Sequence, residues 1–142
     1  MTAPGVPLDP VRDRDSRTTA LTAARAALEK QAEDVVILDL RAVSTITDFF
    51  LVCTADNPRQ IEALKDHIEA ELRRRGCRVE HTEGSASAVR GTSSPGLQWV
   101  LMDCGDLVVH LFDRHARDFY RLEDLWADAP RVPVQSFPLP ER

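Results

Sequence analysis

The stretch WVLMDCGDLVVHLFDRHARDFYRLEDLW, residues 99–126, decides the fold. It holds both tryptophans and the only tyrosine of the chain. Two apolar runs flank Cys104-Gly105, and a helical segment follows. A glycine beside a turn residue between apolar runs marks a hairpin, because glycine supplies the positive φ of a tight turn. With a two-residue turn, Asp103 pairs with Asp106, Leu101 with Val108, and Trp99 with His110. Paired residues share a face, and successive residues alternate between faces. One face then carries Val100, Met102, Leu107, Val109 and Leu111, all apolar and suited to a core. The other carries Trp99, Leu101, Asp103, Asp106, Val108, His110 and Phe112. A register slip of two keeps these sets, whereas a three-residue turn breaks them. Aromatic, acidic and imidazole groups together suit neither a plain core nor a plain solvent face. Function is therefore sought on that second face.

Working outward, Asp113 is placed to cap a final helix carrying Phe119, Tyr120, Leu122, Leu125 and Trp126. Beyond Pro130 the chain holds four prolines, counting Pro130, and cannot continue a helix. It should run extended across the body, anchored by Val132 and Val134. Upstream of the hairpin, SASAVRGTSSPGLQ (85–98) has no hydrophobic period and reads as a long loop. Residues 77–82 alternate as a strand whose charged positions, Arg78 and Glu80, suit a sheet edge. Asn57-Pro58-Arg59-Gln60 is a helix start: Asn caps, Pro occupies the first helical position, and Gln60 completes a capping box. Ile61, Leu64, Ile68 and Leu72 share one face of that helix, and Gly76 stops it. Glu69 with Arg73, and Glu71 with Arg75, are spaced as ion pairs. Residues 34–40 and 47–54 read as two buried strands, antiparallel because the link is short. Ser16 or Asp15 caps a first helix over 17–31, with Leu21, Ala24 and Leu28 as its stripe. The order predicts a single α/β domain with a mixed five-stranded sheet flanked by helices. Its expected limits are a flexible tail over 1–15, the domain over 16–129 and a proline-rich tail over 130–142.

The chain has 142 residues, a length natural for one domain. Its formal net charge is −5, which argues against a general nucleic-acid binder, because phosphate binding needs clustered positive charge. Arg73-Arg74-Arg75 is the local exception. It serves either to cap the helix dipole or to meet phosphate. Cys53, Cys77 and Cys104 form no CxxC pair, and an odd, widely spaced set argues against a disulfide framework or zinc site. They are expected to be reduced, mostly buried thiols in a cytoplasmic protein. No signal-peptide core is expected, and the longest apolar run, Phe49 through Cys53, is too short to span a bilayer.

Asp103, Asp106 and His110 share a face and offer carboxylate–imidazole chemistry for acid–base work or a metal. A nucleotide- or metal-dependent enzyme is the alternative function they raise. Aspartates beside a hairpin turn have a plainer use, accepting backbone N–H bonds. No Walker loop, GxGxxG, GxSxG or HExxH is present. Gly84-Ser85 resembles the opening of a nucleotidyltransferase site, but no Asp-x-Asp follows. Trp99 and Tyr120 beside charge are the residue types that anchor protein interfaces. The acidic rim favours a partner presenting Lys or Arg.

Several separated segments are similar to one family. Thr45-Ile46-Thr47-Asp48, Glu83-Gly84, Trp99 with Asp103-x-Gly105-Asp106-x-x-Val109-His110, and Phe119-Tyr120-x-Leu122-Glu123-x-Leu125-Trp126 resemble the ribosomal silencing factor (RsfS, or Iojap) family. The match runs over roughly residues 20–134. The resemblance implies a nucleotidyltransferase-like fold without the catalytic motif, no enzyme activity and no cofactor. It implies a homodimer in solution. It implies binding to ribosomal protein L-fourteen of the large subunit, so that the small subunit is blocked and translation falls when nutrients are scarce. Trp99 and Tyr120 become the expected ribosomal-protein contacts. Asp103, Asp106 and His110 would add polar contacts or shape the hairpin, and Thr47-Asp48 would fix the turn into the second strand. The chain departs from the family between Gly84 and Trp99, where AVRGTSSPG looks like an addition.

Overall fold

A computed structural model describes residues 10–84 and 98–134. The elements run α1 (Pro10–Glu29), β1 (Glu33–Asp39), β2 (Phe49–Ala55), α2 (Pro58–Arg74), β3 (His81–Glu83), β4 (Trp99–Asp103), β5 (Leu107–Asp113), α3 (Arg114–Tyr120), α4 (Leu122–Leu125) and β6 (Arg131–Val132). One sheet takes the order β3-β4-β5-β2-β1-β6. All its pairings are antiparallel except the central one, β2 with β5.

The mixed α/β class holds, but six strands are present where five are expected. The sixth is Arg131–Val132, pairing with Leu38 and Ile37 of β1. A two-residue strand followed by Pro133, which lacks an N–H, carries no alternation signal of its own. The expected C-terminal tail from 130 thus begins inside the sheet. At the other end, α1 starts at Pro10, not at residue 17. Proline's fixed φ suits a first helical turn, and residues 10–15 of the expected tail are helical. Ser16, expected as a cap, is a buried interior residue of the helix. The remainder of the expected tails and the 85–97 loop lie outside the described residues.

The hairpin keeps both of its predicted faces in a different register. Asp103 pairs with Val108, Leu101 with His110, and Trp99 with Phe112. The turn is centred on Gly105-Asp106 and closed by Cys104 N–H donating to Leu107 O at 2.8 Å. The slip is by two residues, so side-chain facing is preserved. Val100, Met102, Leu107, Val109 and Leu111 are wholly buried and join the main core. That core fills the space beneath α1 and α2. Ile61, Leu64, Ile68 and Leu72 come from α2, as their spacing predicts. From α1 come Ala20, Ala23, Ala24 and Ala27 with Leu21, whereas Leu28 is turned outward. Small side chains let α1 lie close to its neighbours.

The start of α2 does more than cap itself. Asn57 accepts from Gln60 N–H at 2.8 Å, and Gln60 Oε1 accepts from Asp56 N–H at 2.7 Å. The capping box is therefore offset by one residue. The Gln60 amide also donates to Lys30 O and Gln31 O, tying the end of α1 to the start of α2. At the other end Glu69 pairs with Arg73 as expected, while Glu71 pairs with Arg74.

The third strand is shorter and later than its alternation suggests. Cys77 and Val79 do pack on the core while Arg78 and Glu80 face solvent. The ladder to β4 nevertheless opens only with Glu80 N–H donating to Asp103 O at 2.8 Å. β3 is an edge strand, the position expected for this segment, although Arg78 and Glu80 precede the paired residues. Gly84 ends it at φ +78°, and a Cβ there would lie 2.2 Å from the carbonyl oxygen of Trp99. No side chain fits such an approach. Gly76 also has positive φ, at +85°, but faces open space. The two glycines make a paired test. Gly84→Ala should destabilise by about 2 kcal/mol or more, and Gly76→Ala by about 1 kcal/mol, from backbone conformation alone. Urea unfolding of the two variants checks the order.

Candidate functional site

The second face of the sheet is built from alternate residues of four strands. β4 supplies Trp99, Leu101 and Asp103, β5 supplies Val108, His110 and Phe112, β2 supplies Phe50 and Val52, and β1 supplies Val36 and Leu38. The segment after β5 covers only part of this face. Phe112, Val52, Ala116 and Leu122 form one small cluster, and Leu38, Leu40 and Ala129 form another. Phe50 and Trp126 bridge both. Trp99, Leu101, Asp103 and Phe50 stay half exposed.

Rings run across this face as a continuous series. Trp126 meets Phe50 edge-on at 5.8 Å, and Phe50 meets His110 edge-on at 4.5 Å. His110 lies 5.8 Å from Trp99, and Trp99 lies 4.7 Å from Tyr120. Phe119 closes the series, edge-on to Tyr120 at 5.0 Å. Aromatic pairs at these spacings contribute roughly 0.5–1.5 kcal/mol each beyond buried area. The outer end of the series is open: Phe119 is 67% and Tyr120 39% exposed. Leu125, on the next turn of chain, is 75% exposed.

The chain after β5 is held by polar contacts that aim Tyr120. Asp113 caps α3 as expected, accepting from Ala116 N–H at 2.7 Å. The single final helix expected from the sequence is instead two short ones. Arg121 breaks it with φ 48°, in the left-handed region. Arg117 is buried and donates to Thr54 Oγ1 at 2.6 Å and to Glu123 at 2.5 and 3.0 Å. It thereby ties α3 to β2 and to α4 across the break. A charge-assisted bond inside a half-dry site is among the stronger kinds.

The five predicted site residues divide by exposure. Trp99 and Tyr120 are in ring contact and reach the surface. Asp103 is half buried and its Oδ1 accepts from Gly105 N–H at 2.9 Å, the turn chemistry anticipated for it. Asp106 sits in the turn, and its carbonyl accepts from Asp48 and Phe49 N–H groups at 3.1 Å each. Thr47 Oγ1 donates to Gly105 O at 3.0 Å, so Thr47-Asp48 does fix the entry to β2. His110, expected as a polar contact, is only 3% exposed. Its Nδ1 accepts from the Trp99 indole N–H at 3.1 Å. That bond assigns the proton to Nε2, which has no hydrogen-bond partner among the described residues. His110 thus orients Trp99 from beneath. Phe50, Phe119 and Leu125 belong to the same surface; the sequence marks Phe119 and Leu125 as residues of the final helix but not as part of this face, and does not mark Phe50. Phe50 comes into reach only through the parallel β2–β5 pairing, which no local pattern encodes.

Among the described residues, no group of three or more His, Cys, Asp or Glu side chains is placed to hold a metal ion. Asp103 and Asp106 lie at the turn of the hairpin and His110 lies in the middle of β5, and the three form no such cluster. His67 pairs with Glu29 and His81 with Glu83, both at 2.8 Å on the surface. The three cysteines are free. Burial pushes the Cys53 and Cys104 thiols up to about 12, far from a nucleophile's range. A polar cleft of about 730 Å³ lies between β1 and α3–α4, lined by Asp34, Arg117, Arg121, Asp124 and Arg131 among others. No described helix is long and apolar enough to cross a membrane.

Fold and site together define a small mixed α/β protein with one aromatic, partly open sheet face bordered by carboxylates. Comparison with known proteins gives the family. The family model described as "Ribosomal silencing factor during starvation" matches residues 13–142, and the chain belongs to that family. The ribosomal silencing factor RsfS of Bacillus subtilis is 38% identical over 108 residues, covering 76% of this chain and 84% of that protein. The RsfS of Halalkalibacterium halodurans is 36% identical, covering 80% and 89% respectively. A crystal structure of a Chromobacterium violaceum protein superposes with a TM-score of 0.66 at 26% identity, covering 87% and 93%.

Burial lowers the His110 pKa to about 3. The unfolded chain takes up its proton near pH 6.5, and the folded chain does so only near 3. Stability from this group is complete above pH 6.5 and is lost as pH falls towards 3. Urea unfolding at pH 7 and pH 5 should show a loss of about 2 kcal/mol from His110 in the wild type. His110→Phe should remove that component while other acid-side losses remain.

Proposed function

We propose that this protein silences ribosomes by occupying the large subunit at ribosomal protein L-fourteen, so that the small subunit cannot join. The observation that carries the ribosomal role is the family match across residues 13–142. What supports the placement is the open end of the ring series, where Trp99 and Tyr120 stand beside exposed Phe119 and Leu125. Monomeric surfaces rarely gather so much uncovered aromatic and aliphatic area without a partner.

In this mechanism Trp99 and Tyr120 are the anchors. Asp103 and Asp106 form an acidic margin for basic groups on the partner, and His110 holds the Trp99 ring at its working angle. No chemical step is needed, because excluding the small subunit takes only occupancy of a shared surface. The same open face gives the free protein a reason to pair as a homodimer, and docking on the ribosome would then compete with pairing. Translation would fall when nutrients are scarce, in the cytoplasm where subunits join. The enzymatic alternative at Asp103, Asp106 and His110 draws no support from a face whose histidine is buried under aromatic rings.

Truncating an interface anchor typically costs ~2 kcal/mol or more, which is about thirtyfold in affinity. Tyr120→Ala and Trp99→Ala should therefore each weaken co-sedimentation with purified large subunits by about that factor. Both should also relieve inhibition of subunit joining. Binding like the wild type by both variants, with the fold intact by circular dichroism, would sink the site assignment.

A further inference from the structure

The arginines at the end of α2 are not used by the docking face. Arg73, Arg74, Arg75 and Arg78 lie within six positions of a chain whose net charge is −5. Arg73 and Arg74 are 72% and 62% exposed in their side chains and reach back to Glu69 and Glu71 at 3.3 and 3.4 Å. Exposed pairs of this kind hold a side chain weakly and leave most of its donors free. Arg75 and Arg78 are exposed, and among the described residues neither makes an ion pair. Favourable interaction with the helix dipole accounts for cations in the last turn of α2. It does not account for Arg78, which lies past the Gly76 stop, since the dipole's effect fades within one turn.

The position of the cluster matters as much as its charge. Glu80 N–H donates to Asp103 O at 2.8 Å, so the 75–80 segment is fastened to the lower end of β4. The segment carrying Arg75 and Arg78 therefore reaches the end of the sheet where the Asp103–Asp106 turn lies, the acidic end of the proposed docking face. Opposing charge is present there, since Glu80 and Asp106 both act on Cys77. The cationic surface is thus local: Arg73 and Arg74 share theirs with Glu69 and Glu71, and Arg75 and Arg78 are exposed beyond them. Every cation in it is arginine, whose planar fork matches phosphate oxygens two at a time.

We infer that Arg73, Arg74, Arg75 and Arg78 form a contact for RNA phosphates beside the protein-docking face. The inference rests on the ribosomal reading for where the RNA is met, though not for the charge itself. It divides the surface by chemistry. The aromatic end takes protein, and the arginine end takes the phosphate backbone without regard to base sequence.

The experiment uses the full chain with Arg75→Ala/Arg78→Ala, and Arg78→Ala alone as a variant outside any helix. Binding is measured against intact large subunits, protein-free large-subunit RNA and isolated ribosomal protein L-fourteen, each over a salt series. The double variant should bind subunits and RNA about tenfold more weakly, and its slope of log affinity against log salt should fall by about 1.5. Arg78→Ala alone should lower the slope by about half as much. Affinity for the isolated protein should stay unchanged. Unaltered affinity and slope on both RNA and subunits would overturn the inference. So would a loss confined to the isolated protein. Wild-type binding to RNA that the double variant loses, with no binding to subunits, would keep the phosphate contact and remove the silencing role. Subunit binding with an indifferent RNA arm and slope would do the reverse.

Discussion

Everything in this molecule depends on β5 being dry on both sides. All seven of its residues, Leu107 through Asp113, are buried. Leu107, Val109 and Leu111 go to the main core, and Val108, His110 and Phe112 go to the opposite face. A strand in that position must satisfy every backbone group through its neighbours, since no water is at hand. It does so with β4 on one side and β2 on the other. That arrangement forces a histidine into an apolar layer. The layer in turn dictates which ring nitrogen carries the proton, and hence where the Trp99 indole points. An imidazole that would be unremarkable on the surface becomes a fixed acceptor because its strand has no wet side.

How much of this is legible in the sequence follows from what kind of signal each feature carries. The two faces of the hairpin are legible because alternation survives an even shift of register, so the pairing Trp99–Phe112 in place of Trp99–His110 changes neighbours without changing sides. The start of α2 is legible because the Asn57 cap on Gln60 N–H and the Pro58 first turn act over three residues or fewer, whereas the reach of Gln60 to Lys30 and Gln31 is not. The sixth strand is not, since Val132 finds its place only because Ile37 stands opposite. Nor is the burial of His110. Its environment comes from Phe50, brought alongside by a parallel pairing between distant segments, and from a C-terminal segment folded over the sheet. The break at Arg121 is hidden too, because an arginine in the left-handed region has no sequence signature. The family resemblance, carried by short motifs such as Glu83-Gly84, needs none of these long-range facts. The Gly84 contact with the Trp99 carbonyl gives that motif a physical cause.

The candidate site illustrates a division of labour between rigid and available groups. Arg117, Thr54, Glu123 and Asp113 are spent on holding α3 and α4 in place. Their cost in desolvation is offset by mutual bonding. Phe119, Tyr120 and Leu125 are left over by the same geometry, because two short helices joined at a sharp break cannot turn every apolar group inward. A site of this kind presents few moving parts to a partner, which limits the entropy lost on association.

The parallel contact at the centre of the sheet has a consequence for how the chain reaches this state. The partners across β2 and β5 stand 58 positions apart, as the Thr47–Gly105 bond beside them also does. The β1–β2 and β4–β5 pairs, by contrast, are neighbours in the chain and close small loops. Two local hairpins can therefore form quickly and separately, and the late, slow event is their joining along β2 and β5. Until then β2 and β5 each show an unpaired apolar edge, and β1 still lacks β6. A protein of this design is most exposed to misassociation during synthesis, after Ala55 has emerged and before Asp113 has followed.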